Sequence, residues 1–275
     1  MSVSLNAALP PASFRLSRLL PATALRRVAV PAVIVALWQW LTASGLVDPH
    51  TMPSPAAVAE SFWQLIVTGQ LWPNLLISVQ RVAAGLALGM AIGTVLGLVA
   101  SLSRLGEDAI DATVQMARTL PHLALIPLMI LWFGIGETPK IILIALGAMF
   151  PIYLNLFSAV RGVERKLVEA VSVLGLSHAE TIWHVILPAT LPGFLVGLRQ
   201  AFSISWISLV VAEQINASSG IGYLVMNARD FLRTDIIFDG LLVYALLGLG
   251  TDLLVRALES KLLVWRPSSI TGKGE

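Results

Sequence analysis

The chain has 275 residues, of which 56% are apolar and only 12% charged, and its mean hydropathy is +0.82. Soluble domains carry about 25% charged residues, so this composition excludes an ordinary soluble globule and makes the lipid bilayer part of the solvent. The formal charge of +2 gives no reason to expect a nucleic-acid partner, and the absence of cysteine excludes a disulfide framework or a thiolate metal site.

The expected fold is an all-α polytopic membrane protein with about six spans. Residues 1–27 carry Arg15, Arg18, Arg26 and Arg27 without an acidic residue and read as a cytoplasmic tail. The apolar run 28–46 is long enough to cross a bilayer. A basic leader before an apolar run also fits a cleaved signal peptide, but the length of both parts favours an uncleaved first span. Residues 47–80 are too polar to cross. Within them Ser54-Pro55 is a helix start, a capping hydroxyl followed by proline. Val58, Phe62, Leu65 and Ile66 then form an apolar stripe ending near Gly69. That stripe suits either an amphipathic helix on the membrane surface or a helix packed on the bundle.

The second span, 78–102, carries Gly85, Gly89, Gly93 and Gly97. A strict spacing of four makes a smooth groove where another helix approaches backbone to backbone. A third span, 109–133, contains Arg118 and His122 and is interrupted at Pro121 and Pro127. The fourth, 141–160, is expected to break at Pro151; the fifth is 191–214 and the sixth 236–258. The permease body is thus 28–260, with a cytoplasmic loop at 161–190 and a cytoplasmic tail at 261–275. With the N-terminus inside, thirteen Lys and Arg residues fall on the inner side. Four (Arg81, Lys140, Arg229, Arg233) fall outside, and Arg199 lies within a span. This bias satisfies the positive-inside rule and puts both termini in the cytoplasm.

The segment Glu169–Pro188 is the one around which the chain is organised. It is too polar to cross a membrane and too patterned to be a slack linker. Leu167, Val168, Val171 and Leu174 recur at helical spacing. Gly175 supplies a left-handed C-terminal cap, with Val171 and Leu176 at the two positions that meet across a Schellman turn. Ser177 and Glu180 form a capping box opening a second helix, with Ala179, Ile182, Trp183 and Ile186 along one face. A helix, a glycine corner and a helix make a docking element.

Several chemistries drop out. There is no G-x-x-x-x-G-K-[ST] loop, no H-E-x-x-H and no nucleophile elbow, so neither nucleotide hydrolysis, a zinc site nor other enzyme chemistry is expected in this chain. Ionisable residues at membrane depth are functional candidates, because each costs about 2.5–3.5 kcal/mol to insert. Arg199, Ser203, Trp206 and Glu213 share one face of the fifth span and are candidate pathway-lining residues, with Arg118 and His122 beside them. For Arg199 the competing reading is snorkelling to the nearby interface. Ala201, Ser205, Ser208 and Ala212 make a second face, suited to packing.

At Glu169–Pro188 the sequence resembles the permease subunits of ATP-binding-cassette importers. These carry E-A-A, three residues, G, nine residues and I-x-L-P. Glu169-Ala170, Gly175 and Leu187-Pro188 stand at that spacing, with Val171 and Val185 as small apolar replacements. The stretches PHLALIPLMILWFGIGE, SSGIGYLVMNARDFL and YALLGLGTDLL are similar to the nitrate/sulfonate/taurine group, and within it to aliphatic-sulfonate permease subunits. The resemblance covers roughly 28–267. It implies a type I importer (MetI-like) fold and a homodimer in the bacterial inner membrane. It also implies two ATPase subunits that bind ATP and magnesium, and a periplasmic or extracellular substrate-binding protein. The 161–190 loop would couple ATP hydrolysis to transport of a small organic anion, with aliphatic sulfonate first and taurine, nitrate or another small solute as alternatives. The rival reading is an ion-coupled secondary transporter, which would show an internal repeat and paired midplane charges; a membrane scaffold without transport is a third.

Overall fold

The computed structural model describes residues 22–48 and 50–265. Most of the two expected tails, with Arg15, Arg18, Arg266 and Lys273, lies outside the described residues. The chain divides at Ala56 into two compact units. Among the described residues the first holds α1 (Ala22–Ala43), continuous through Pro31. It begins inside what the composition marks as tail.

The second unit contains nine further helical stretches among the described residues. They are α2 (Pro55–Val67), α3 (Leu71–Leu102), α4 (Arg104–Ala117), α5 (His122–Phe133), α6 (Glu137–Arg161), α7 (Arg165–Val173), α8 (His178–Ile215), α9 (Ile221–Asp230) and α10 (Thr234–Leu262). No described residue lies in a strand. Four helices (α3, α6, α8 and α10) are long and apolar enough to cross a membrane. A fifth crossing exists if α4 and α5 count as one, while the apolar part of α1, Ala29–Ala43, is shorter.

Three expected boundaries change. The third span is interrupted at Pro121 as expected, but as a break between two helices, α4 and α5, that meet at 81°. Pro121 is extended, at φ −65° and ψ 103°, and the chain restarts in a 3₁₀ turn, His122–Leu125. Pro151 does not break α6. It lies buried in mid-helix and removes one ladder hydrogen bond, while Asn155 Nδ2 donates to its carbonyl at 2.8 Å. The expected gap between the loop and the fifth span is also absent. His178–Ile215 is one 38-residue helix. Leu187 N–H reaches back five residues to the Ile182 carbonyl in a π turn, so the ladder has already slipped where Pro188 lacks a donor.

The core is held by close approach rather than bulk. Gly85, Gly89 and Gly93 lie directly against α6, and a Cβ at Gly85 or Gly93 would stand 2.6 Å from Ile144 Cβ or the Met149 carbonyl. The glycine groove is therefore filled from within the same chain. The stripe on α2 packs on the bundle: Phe62, Leu65 and Ile66 join Leu71, Ile221, Leu224 and Val243 in one apolar cluster. Of the two readings open from sequence, packing is the one observed.

Helix α9 ends in a Schellman turn, with Arg233 N–H on the Ala228 carbonyl and Leu232 N–H on that of Arg229. Leu232 occupies its left-handed position at φ 56°, with its side chain 78% exposed. Leucine costs about 1–2 kcal/mol in that conformation, part of which glycine returns as unfolded-chain entropy. Leu232→Gly is therefore expected to raise the melting temperature in detergent slightly, by the equivalent of about 0.5 kcal/mol; a lower melting temperature would contradict this.

Candidate functional site: a docking corner and a buried charge clamp

Helix α7 ends as its sequence dictates. Leu176 N–H bonds the Val171 carbonyl at 3.3 Å and Gly175 N–H that of Ser172 at 3.0 Å, while Gly175 takes φ +84°. Ser177 then caps α8. Glu180 N–H donates to Ser177 Oγ, and the Glu180 carboxylate accepts from Ser177 N–H at 2.8 Å and Oγ at 2.7 Å. Those bonds hold the Glu180 carboxyl below its ordinary pKa. His184 Nδ1 donates to the Glu180 carbonyl at 3.0 Å, so His184 braces its own helix.

The corner is capped on both sides, yet its apolar surface is left exposed among the described residues. Helix α7 buries none of its residues, and Glu169 and Ala170 are exposed. Leu167, Val173, Leu174 and Trp183 are 47%, 86%, 77% and 69% exposed. An amphipathic element with a defined shape and a bare apolar surface has the features of a docking element.

The opposite end of α8, about 50 Å away along the helix, carries a second constellation. Glu213 is fully buried. It accepts from Arg81 Nη1 at 2.6 Å, Ser78 Oγ at 2.8 Å and Gly222 N–H at 2.8 Å. The last donor places the carboxylate at the N-terminus of α9, where the helix dipole favours it. Arg81, 3% exposed, forks the other way onto Glu137, Nε to Oε2 at 2.5 Å and Nη2 to Oε1 at 2.7 Å. It also donates to the Ser219 carbonyl at 2.7 Å. Lys140 Nζ adds a 3.0 Å bond to Glu137. Gly220 and Gly222 close over Glu213 so tightly that a Cβ at either would collide with its side chain.

This corrects several sequence expectations. Glu213 and Trp206 do not line an open path. Trp206 packs among Val82, Ile144, Leu209, Tyr244 and Leu247, because α3, α6 and α10 cover this half of α8. Arg81 and Lys140, counted as outer cations, are buried partners of carboxylates. Charge counting misses this because it treats each cation as solvated. Arg199 is neither free nor alone at depth, since its guanidinium pairs with Asp252 at 3.3 Å and Glu259 at 2.7 Å on α10. Ser203 and Arg118 are exposed. His122 Nε2 lies 2.9 Å from Ser208 Oγ, fixing the 3₁₀ turn against α8. Ala201, Ser205, Ser208 and Ala212 are buried. The sequence offered Arg81 only as an outer cation and gave Glu137 no role, and their pairing was not legible there. The available signal was Glu213 itself, a carboxylate at depth that demands a cation.

Breaking a buried ion pair from one side costs about 3–5 kcal/mol, because the remaining charge is left unpaired. Glu213→Leu is accordingly expected to lower the melting temperature sharply, with Arg81→Met/Glu213→Leu nearer to the unaltered protein than either single change. A double variant as unstable as the sum of the singles would show that the pair is not the coupled unit.

The family described as "Binding-protein-dependent transport system inner membrane component" matches residues 89–264. The chain is 48% identical to the candidate aliphatic sulfonates transport permease protein SsuC of Escherichia coli (strain K12), over 87% of this chain and 91% of that one. It is 46% identical to the corresponding SsuC of Bacillus subtilis (strain 168), over 89% and 88%. It is 34% identical to the taurine transport system permease protein TauC of Escherichia coli (strain K12), over 85% and 87%. Among solved structures, an amino acid ABC transporter chain superposes with a TM-score of 0.61 at 16% identity, covering 73% of this chain and 98% of that one. A chain of the inward-facing MetNI methionine ABC transporter gives 0.51 at 21% identity, covering 72% and 98%. Those two likenesses concern the fold. Helix pattern, corner and sequence converge: the chain belongs to the binding-protein-dependent transport family, as a multi-pass permease subunit of an ATP-binding-cassette importer without an ATPase site of its own.

Proposed function

We propose that this permease moves aliphatic sulfonates inward as a homodimer in the bacterial inner membrane, with both termini cytoplasmic. The observation that carries the drive mechanism is the bare apolar corner between α7 and α8. Leu174 and Trp183 flank a capped turn whose second helix runs on, through the π turn at Ile182–Ile186, into the membrane-spanning rod. Two ATPase subunits that bind ATP and magnesium seat on Glu169–Pro188 from below, and a binding protein delivers substrate from outside. Movement of the corner then moves α8. Ser203 and Arg118, both exposed, stay candidates for the pathway wall, with Arg199 and His122 holding helices beside it.

The substrate reading is supported by the 48% and 46% identities to sulfonate permeases, against 34% to the taurine relative. The test is uptake by the whole importer in cells. Butanesulfonate should enter and support growth as sole sulfur source, and entry should stop on ATP depletion but not on collapsing the proton gradient. Uptake that follows the proton gradient would overturn the importer mechanism. Uptake of taurine or nitrate in place of butanesulfonate would overturn the substrate alone.

A further inference from the structure

The Arg81 clamp joins three segments: the far end of α8 through Glu213, the first turn of α6 through Glu137, and the Ser219–Gly222 turn leading into α9. Its two limbs differ. The Glu213 limb is sealed, with both side chains 3% exposed or less. The Glu137 limb is open on one side, Glu137 being 54% exposed and Arg81 3%. When the Glu137 carboxylate moves into water, Arg81 keeps a buried counter-charge in Glu213 and an acceptor in the Ser219 carbonyl, so the outer contact can open while the inner one holds. The chain thus holds a fixed joint and a breakable joint on one guanidinium.

We propose that Arg81 and Glu137 are positioning residues for import: Arg81 travels with α8, and its contact with Glu137 makes and breaks as the corner moves, carrying the ATPase stroke to the outer mouth. The geometry suits this role. Helix α8 is continuous from the capped corner to Ile215, so displacement at Gly175 arrives at Glu213 with no hinge loop between. Gly220 admits no Cβ beside Glu213, so the Ser219–Gly222 turn follows the carboxylate. Fork geometry matters, because bidentate Arg–carboxylate contact fixes orientation as well as distance. The proposal rests on the reading of Glu169–Pro188 as the ATPase contact.

The test uses the whole importer, with its ATPase subunits and binding protein, in liposomes. Glu137→Gln removes the carboxylate charge that faces Arg81 and Lys140 and leaves the Arg81–Glu213 pair in place. It should leave ATPase co-purification and unstimulated ATP hydrolysis intact while butanesulfonate delivered per ATP falls about tenfold or more. Glu137→Asp should restore much of it. The chain has no native cysteine, so spin labels at Thr138→Cys and Ser218→Cys report the α6-to-turn distance directly. That distance should change on ATP binding, and the change should shrink in Glu137→Gln. Unaltered delivery per ATP in Glu137→Gln, or a label distance indifferent to ATP in the otherwise unaltered importer, overturns the proposal. Failure of the coupling-loop reading shows elsewhere, as normal ATPase binding and uptake by a Gly175→Asp chain.

Discussion

Gly89→Leu is expected to abolish recovery of folded protein. Gly89 faces the Ala145 carbonyl and the Ala148 methyl on α6 across a gap that cannot hold even a Cβ. A leucine there must push the α3 and α6 backbones apart over the contact that forms the middle of the bundle. Overpacking costs about 1–3 kcal/mol even where side chains can give way, and here the obstacle is backbone. The built-in comparison is Gly97, where an added Cβ would meet Leu156 and the Tyr153 carbonyl at 3.4 Å, an ordinary contact distance. Gly97→Ala should melt close to the unaltered protein, Gly89→Ala well below it, and Gly89→Leu should elute as aggregate on size exclusion in detergent. A monodisperse Gly89→Leu protein would mean that the groove is not closed by α6.

Gly175→Asp is expected to leave the chain folded and inserted yet abolish uptake. Nothing lies within 4 Å of a Cβ built on Gly175, so no clash arises inside the chain. The left-handed φ of +84° is one that aspartate tolerates better than most residues. The damage falls on the partner. An uncompensated carboxylate pressed into an apolar interface costs several kcal/mol, about tenfold in affinity for each 1.4 kcal/mol. Co-purified ATPase should drop accordingly, and uptake in cells should fall to background. Gly175→Asn, with the same backbone tolerance and no charge, should keep partial uptake. Normal uptake by Gly175→Asp would show that the corner does not carry the stroke.

The parts of this protein legible in the sequence are those whose cause is local. A Schellman turn needs glycine at one position and apolar residues at two others, and 169–176 supplies them in order. A capping box needs Ser177 and Glu180 three residues apart. The groove of Gly85, Gly89 and Gly93 shows in its spacing because small residues at every fourth position have few other uses in lipid. By contrast, Pro121 and Pro151 look alike in sequence and behave differently. At Pro121 the chain leaves helical geometry for a turn of 81°, while Pro151 is locked inside a helix packed on both α3 and α8. Propensity states only that a donor is missing; packing decides whether the helix continues without it.

Composition and local spacing by themselves determined a membrane-embedded, all-helical chain with a structured docking corner and no ATPase motif, since hydropathy, capping and close helix contact act over a few residues. Only the tertiary structure decided what the charges do. Arg81, Glu137 and Glu213 stand 56, 76 and 132 positions apart in their three pairings, and each by itself looks like a loop cation, a helix-start acid or a pathway carboxylate. Burying a charge is prohibitive alone and acceptable when paired. Their placement was therefore set by which helices meet, a property no window of the sequence contains.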